Sequence, residues 1–269
     1  MSGFAAEWLA LREPHDRAAR NTAVLGAVAD AFRGQPSIAV VDLACGTGAT
    51  LRALGPRLPP RQSWRLVDND LGLLAQAGAA GQPPCVSVTA TPVDLARDLE
   101  LALASPLDLV TTSALLDLVS AEWLDRLVEE TVVRRLPVYA ALNYDGRAVI
   151  EPEEPLDAEL LAGFNLHQRT DKGFGPALGP AAARHAVERF EHFGYAVVQG
   201  SADWVLGSGD RIMQDAVLAG WADPARLATP LSTAEIAGWL SRRRQHLAAG
   251  RSILRVGHLD IFARPIGTR

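Results

Sequence analysis

The chain has 269 residues, 48% of them hydrophobic, with 26 Lys+Arg against 31 Asp+Glu for a formal charge of −5. The apolar share excludes wholesale disorder, and the length suffices to bury a substantial core without disulfides or structural metal. A net-acidic surface repels phosphate backbones, which argues against broad nucleic-acid binding. Cys45 and Cys85 sit in unrelated contexts and form neither a disulfide framework nor a zinc motif. The start lacks the basic region and long apolar core of a signal peptide. The most hydrophobic window, Leu101 to Val119, is interrupted by Pro106, Asp108 and Asp117, so no membrane span and a cytoplasmic location are expected.

A helical N-terminus is expected over residues 5–33, with Asp16 to Phe32 as its longest helix. From there short β-branched runs alternate with helical stretches, the pattern of a parallel sheet wrapped by helices. Strands are predicted at Ser37 to Leu43, Trp64 to Asp68, Val86 to Ala90, Leu107 to Thr112 and Val138 to Leu142. Helices are predicted from Ala49, over Leu71 to Ala79 and over Ala121 to Arg134. Residues 144–180 are rich in Gly, Pro and charge and read as a long ordered loop or lid. Pro180 opens a helix running to Phe193. Two final strands, Tyr195 to Val198 and Ser252 to Ala263, enclose helices at Arg211 to Trp221 and Ser232 to Ala249. The second of those helices starts with a capping box, Ser232 with Glu235.

The informative stretch is Val40-Val41-Asp42-Leu43-Ala44-Cys45-Gly46-Thr47-Gly48-Ala49. It sets an acidic residue at the end of a buried strand, then a turn of small residues, then a helix. Small residues let a ligand lie directly on the backbone, and in an open α/β sheet this turn is at the ligand-binding carboxyl edge. The dinucleotide fingerprint requires a third glycine where this chain has Leu51, which disfavours a nicotinamide enzyme.

The stretch resembles the first motif of the class I S-adenosylmethionine-dependent methyltransferases, D/E-x-G-x-G-x-G. Asp42, Ala44, Gly46 and Gly48 match it, with Ala44 replacing the first glycine and Cys45 and Thr47 between the matched positions. Asp68, ending the second strand, matches the family's ribose-binding acid, and Asp94, in Thr91-Pro92-Val93-Asp94-Leu95, the acid that receives the adenine amino group. Leu107 to Ser113 matches the fourth strand and the turn lining the methyl donor. The similarity covers roughly residues 37–143. It implies a Rossmann-like α/β fold with a seven-stranded, mostly parallel sheet of order 3-2-1-4-5-7-6, the last strand antiparallel, and helices on both faces. The implied organisation is a helical cap (1–36), a donor-binding core (37–143) and a substrate-side region (144–269) continuous with it.

The resemblance also implies S-adenosylmethionine as cofactor. Asp42 then holds its ammonium, directly or through the turn; Ala44 to Gly48 pack on its methionine part; Asp68 binds the ribose; Asn69 lies beside the adenine; Leu95 and Ser113 complete the wall. Arg12, in the helical cap, can clamp the donor's carboxylate or form a surface salt bridge. Each acid has a purely local competing role: Asp42 capping the following turn, Asp68 and Asp94 capping helices.

Asp117, Tyr144 and His167 are the candidate catalytic residues; Arg169, Asp171, Lys172 and His185 are further candidates for the acceptor side. Histidine titrates near neutrality and suits a base, although a loop histidine is more readily just solvated. Asp117 can orient an amine nucleophile or cap the helix that follows it. Trp204, Trp221 and Trp239 line an apolar pocket or belong to plain core. Arg242-Arg243-Arg244-Gln245-His246 is the strongest basic cluster, either a solvated helix face or a site for a phosphate-bearing partner.

No Asn/Asp-Pro-Pro-Tyr/Phe element follows the fourth strand, no cysteine is placed as a nucleophile, and no carboxylate cluster suggests a metal. The expected function is methyl transfer to an O or N atom of a small molecule. The alternatives are a tRNA or protein methyltransferase, and a non-catalytic S-adenosylmethionine-binding protein. The oligomeric state is not legible.

Overall fold

The computed structural model describes residues 5–79, 83–104 and 106–267. Five parallel strands form the first part of the sheet: β1 (Ser37–Leu43), β2 (Arg61–Asp68), β3 (Val86–Pro92), β4 (Leu109–Ser113) and β5 (Val138–Glu151). β6 (Tyr195–Ser201), β7 (Trp204–Leu206) and β8 (Ile253–Pro265) complete it, with β8 antiparallel to β5, β6 and β7. The order is β3-β2-β1-β4-β5-β8-β6, and β7 pairs with the far end of β8. Apart from the three-residue β7, which is too short to carry a period, this is the expected topology.

Helices α1 (Ala6–Ala19), α2 (Thr22–Ala31), α3 (Ala49–Leu54) and α4 (Leu71–Ala79) belong to the first half. α5 (Leu99–Ala102) and α6 (Ala121–Val133) precede β5; α7 (Asp157–His167), α8 (Ala182–His192), α9 (Arg211–Ala228) and α10 (Thr233–Ala248) follow it. Helices cover both faces of the sheet, which is why β1 is a continuous apolar run and not an alternating one. A third apolar cluster joins the long ends of β5 and β8 to α7, α9 and α10. Among the described residues no helix is long and apolar enough to cross a membrane.

Three local expectations are corrected. The helix read from Asp16 to Phe32 breaks at Arg20–Asn21, because Asn21 turns its carboxamide onto the backbone N–H groups of Ala23 and Val24 and caps α2. The loop read over 144–180 is mostly ordered structure: β5 continues to Glu151 through two bulges, held by β8, and α7 packs against α9 with Gly163 close to Ala225 and Thr229. Pro152 to Leu156 and the segment after His167 remain loop. α9 runs on past Trp221 and through Pro224 to Ala228. The capping box of Ser232 and Glu235 forms as expected.

The arginine run is not a free basic patch, and only part of it is a solvated face. Arg243 is fully buried and donates to both carboxylate oxygens of Asp157 and to the Pro152 carbonyl. Asp157 also accepts from Trp239 Nε1 at 2.7 Å, which places that tryptophan in the core. Arg242 pairs with Glu154 and Arg244 with Asp215. Removing a partner from a buried pair strands the other charge, so Asp157→Ala is expected to lower stability by about 3–5 kcal/mol. Arg244→Ala breaks an exposed pair and should change stability by less than about 1 kcal/mol. Urea unfolding of the two variants checks this contrast.

Candidate active site

Two adjoining hollows lie at the carboxyl edge of the parallel strands. The smaller is a cleft of about 200 Å³ over the turn after β1. That turn alternates left-handed residues, Ala44 (φ 52°), Gly46 (φ 53°) and Gly48 (φ 83°), with ordinary ones. A Cβ on Gly46 would stand 3.1 Å from Leu9 Cδ1, so α1 is laid against the turn and a side chain there would press on it. Asp68 fixes the turn: Oδ2 accepts from the Gly46 N–H at 2.9 Å and Oδ1 from the Asp70 N–H at 3.0 Å.

The turn residues Ala44, Cys45, Gly46 and Thr47 line the cleft, with Asp68 and Asn69 beside them. Arg12, Leu95 and Ser113 border it as well. Three residues of the expected donor set do not. Gly48 begins α3 behind the turn. Asp94 folds onto its own segment, accepting from the Ala96 N–H and pairing with Arg97. Asp42 is fully buried beneath the turn, where Oδ1 accepts from Thr111 Oγ1 at 2.8 Å and Oδ2 has no partner. Burial pushes its carboxyl up to about 7, against the Thr111 hydrogen bond that favours the ion.

The second hollow, about 1010 Å³, meets the first at Arg12, Ala114, Leu118 and Lys172. Asp117, Tyr144 and His167 all line it, and so do Asp171, Lys172, Trp204 and Trp221. Arg169 and His185 border neither hollow; His185 pairs with Asp125 of α6 at 2.8 Å. Asp117 is buried with its Oδ1 unpartnered, and burial raises its carboxyl to about 6. Tyr144 donates its hydroxyl to Asn165 Oδ1 at 2.7 Å. His167 Nδ1 stands 3.3 Å from Lys172 Nζ; burial and that ammonium lower its pKa, so it is neutral with Nδ1 as acceptor.

The loop after α7 closes over both hollows. Asp171 Oδ1 accepts from the N–H groups of Gly173 and Gly175, and the Leu178 N–H bonds the Val119 carbonyl. Phe174 lines the smaller cleft and meets Trp123 edge-on at 5.3 Å.

Several site residues escape sequence reasoning. His258, opposite Tyr144 in the β5–β8 register, lines the larger hollow from a strand that reads as plain core. Its Nδ1–H donates to the Val256 carbonyl at 3.1 Å, and burial lowers its pKa to about 3. Trp8 and Phe164 supply further wall. Behind the site, buried Arg20 donates to Tyr139 Oη (3.1 Å) and Ser113 Oγ (3.4 Å), and Tyr139 donates to Asp260. No spacing signal marks His258 or the Arg20–Tyr139–Asp260 network, because pairing across more than a hundred residues unites them.

No protein-family model and no curated protein matches the chain. Solved structures do. A candidate type II methyltransferase from Anaeromyxobacter dehalogenans aligns with TM-score 0.51 and 20% identity over 93% of this chain and 98% of that one. A cyclopropane-fatty-acyl-phospholipid synthase-like protein from Lactobacillus casei aligns with TM-score 0.50 and 12% identity over 93% and 98%. A candidate methyltransferase from Bacillus halodurans gives TM-score 0.50 and 14% identity over 91% and 100%. The chain has the class I S-adenosylmethionine-dependent methyltransferase fold.

Buried Asp42 sets a pH signature. Between roughly pH 4 and 7 the unfolded chain has released this proton while the folded chain retains it, so this group makes the fold less stable as pH rises. Asp42→Asn removes that contribution. Its stability relative to wild type should rise by on the order of 1 kcal/mol per pH unit across the window, read from urea unfolding. Parallel pH curves for the two proteins would contradict it.

Proposed function

We propose that the protein is an S-adenosylmethionine-dependent methyltransferase that transfers a methyl group to an O or N atom of a small-molecule acceptor. The observation that carries this reading is the meeting of the two hollows: a backbone-lined cleft over the turn after β1, adjoining a large cavity lined by a buried carboxylate with one unpartnered oxygen.

The cleft suits the donor. Its left-handed turn leaves backbone from Ala44 to Thr47 open to a ligand, as a methionine moiety requires. Asp68 would hold the ribose hydroxyls, and Val93, Leu95 and Asn69 the adenine. Arg12 and Lys172, at the junction, would take the carboxylate. Asp42 would act through the turn, and the placement of Asp94 favours a supporting role for it. The bound donor supplies a methyl group already activated on a sulfonium, so alignment and exclusion of water carry much of the catalysis.

Asp117 would receive the proton of the acceptor's O–H or N–H group, since its Oδ1 has no other partner. His167, neutral against the Lys172 ammonium, would hold that lysine and not serve as base. Tyr144, tied to Asn165, would shape the wall. The loop carrying Lys172 and Phe174 would exclude water. Pairing of Arg242, Arg243 and Arg244 with acids favours a small acceptor over tRNA or protein. The second cavity favours catalysis over donor binding alone.

Calorimetry with S-adenosylhomocysteine tests the cofactor: wild type should bind, and Asp68→Ala should bind at least about tenfold more weakly, having lost charge-assisted hydrogen bonds. Folded protein that fails to bind at millimolar ligand overturns the proposal. Once an acceptor is found, kcat/KM should rise with pH through about 6 as Asp117 loses its proton. Asp117→Asn should lower the rate about a hundredfold and abolish that limb of the profile while still binding the donor.

A further inference from the structure

We propose that the larger cavity takes a bulky, ring-bearing, uncharged molecule that presents a hydroxyl or N–H group to Asp117 and His258; only the identity of the reacting group rests on the methyl-transfer reading. At about 1010 Å³ the cavity is at the upper end of the range for drug-sized ligands. Its walls are aromatic. Trp8 and Trp204 meet edge to face at 6.4 Å, and Phe164 bridges Tyr144 at 5.6 Å and Trp221 at 5.7 Å. Trp8 and Phe164 are only half-buried, so ring surface remains open to an occupant. Such walls favour flat apolar bodies.

The polar groups select the rest of the ligand. Asp117 offers a carboxylate oxygen without a partner. His258 spends its Nδ1–H on the Val256 carbonyl, which can only accept, so Nε2 keeps its lone pair. Tyr144 separates them: it is the register partner of His258, its backbone amide supports the Asp117 carboxylate, and its hydroxyl hydrogen goes to Asn165. All three therefore present acceptors, and a ligand left facing them needs a donor.

Charge narrows the class further. Arg12 is engaged bidentately with Asp16, at 2.8 and 3.2 Å, and Lys172 with the His167 carbonyl and Thr170 Oγ1, at 3.2 and 2.9 Å. Both stand at the junction with the donor cleft, so an anionic group is not what anchors the ligand beside Asp117 and His258. The Arg12 guanidinium already lies over the Trp8 and Trp204 rings, 6.0 and 5.0 Å from their centres, which leaves those two faces closed to a second cation. An uncharged donor remains.

The test uses 1-hydroxypyrene, 1-methoxypyrene and 1-pyrenecarboxylate, titrated into the full-length protein with tryptophan quenching as readout. 1-Hydroxypyrene should bind at least about tenfold more tightly than either analogue, the contrast expected for a hydrogen bond to a charged acceptor. In Asp117→Asn the hydroxy-over-methoxy preference should fall below about threefold, with thermal melting and S-adenosylhomocysteine affinity as controls for folding. Equal binding of the hydroxy and methoxy probes, tightest binding of the carboxylate, or no saturable binding of any probe overturns the inference. Loss of S-adenosylhomocysteine binding with the hydroxy preference intact would instead overturn the methyltransferase reading and leave the cavity assignment standing.

Discussion

The carboxylate of Asp16 is the interaction on which the rest of the site depends. Almost entirely removed from solvent, it accepts two hydrogen bonds from Arg12 and a third from Trp204 Nε1 at 2.9 Å. A buried carboxylate is tolerable only with this degree of satisfaction. Only the Trp204 bond fastens α1 to β7; the other two lie within α1, the shared wall of both hollows through Leu9, Arg12 and Trp8. They also hold the Arg12 guanidinium at the junction, 5.0 Å from the Trp204 ring centre. One ion pair thereby positions the cap, the cation and one aromatic wall together.

Backbone strain gathers at the same place. Ala44, Ala114 and Leu142 have left-handed backbone without being glycine, a cost on the order of 1–2 kcal/mol each, and all three border a hollow. At Leu142 the compensation is visible: its N–H donates to Asp260 Oδ1 at 2.8 Å, within the buried Arg20–Tyr139–Asp260 network. At Ala114 the N–H bonds the Ala141 carbonyl of β5. At Leu142 and Ala114 the strained conformations bordering the hollows are held by hydrogen bonds from outside the cavities.

Much of the sheet was legible because its signals are local. β1 and α4 occur at the expected residues, and the capping box of α10 forms as Ser232 and Glu235 indicate. What was misread depends on partners far along the chain. β5 looks finished at Leu142, yet antiparallel pairing with β8 carries it to Glu151. The segment before α8 is loop-like in composition, yet a helix forms where α7 can pack on α9. The arginine run reads as surface until Asp157, more than eighty residues earlier in the chain, is found beneath it.

The sequence by itself determined the turn after β1, its place at the carboxyl edge of a buried strand, and the acid ending β2. Those features need only a few contiguous residues with fixed backbone preferences. Tertiary structure alone decided which acids line a hollow and which lie beneath the turn, and that His258 stands across from Tyr144. Strand register and burial set those relations, and both arise from contacts between segments that no local period connects.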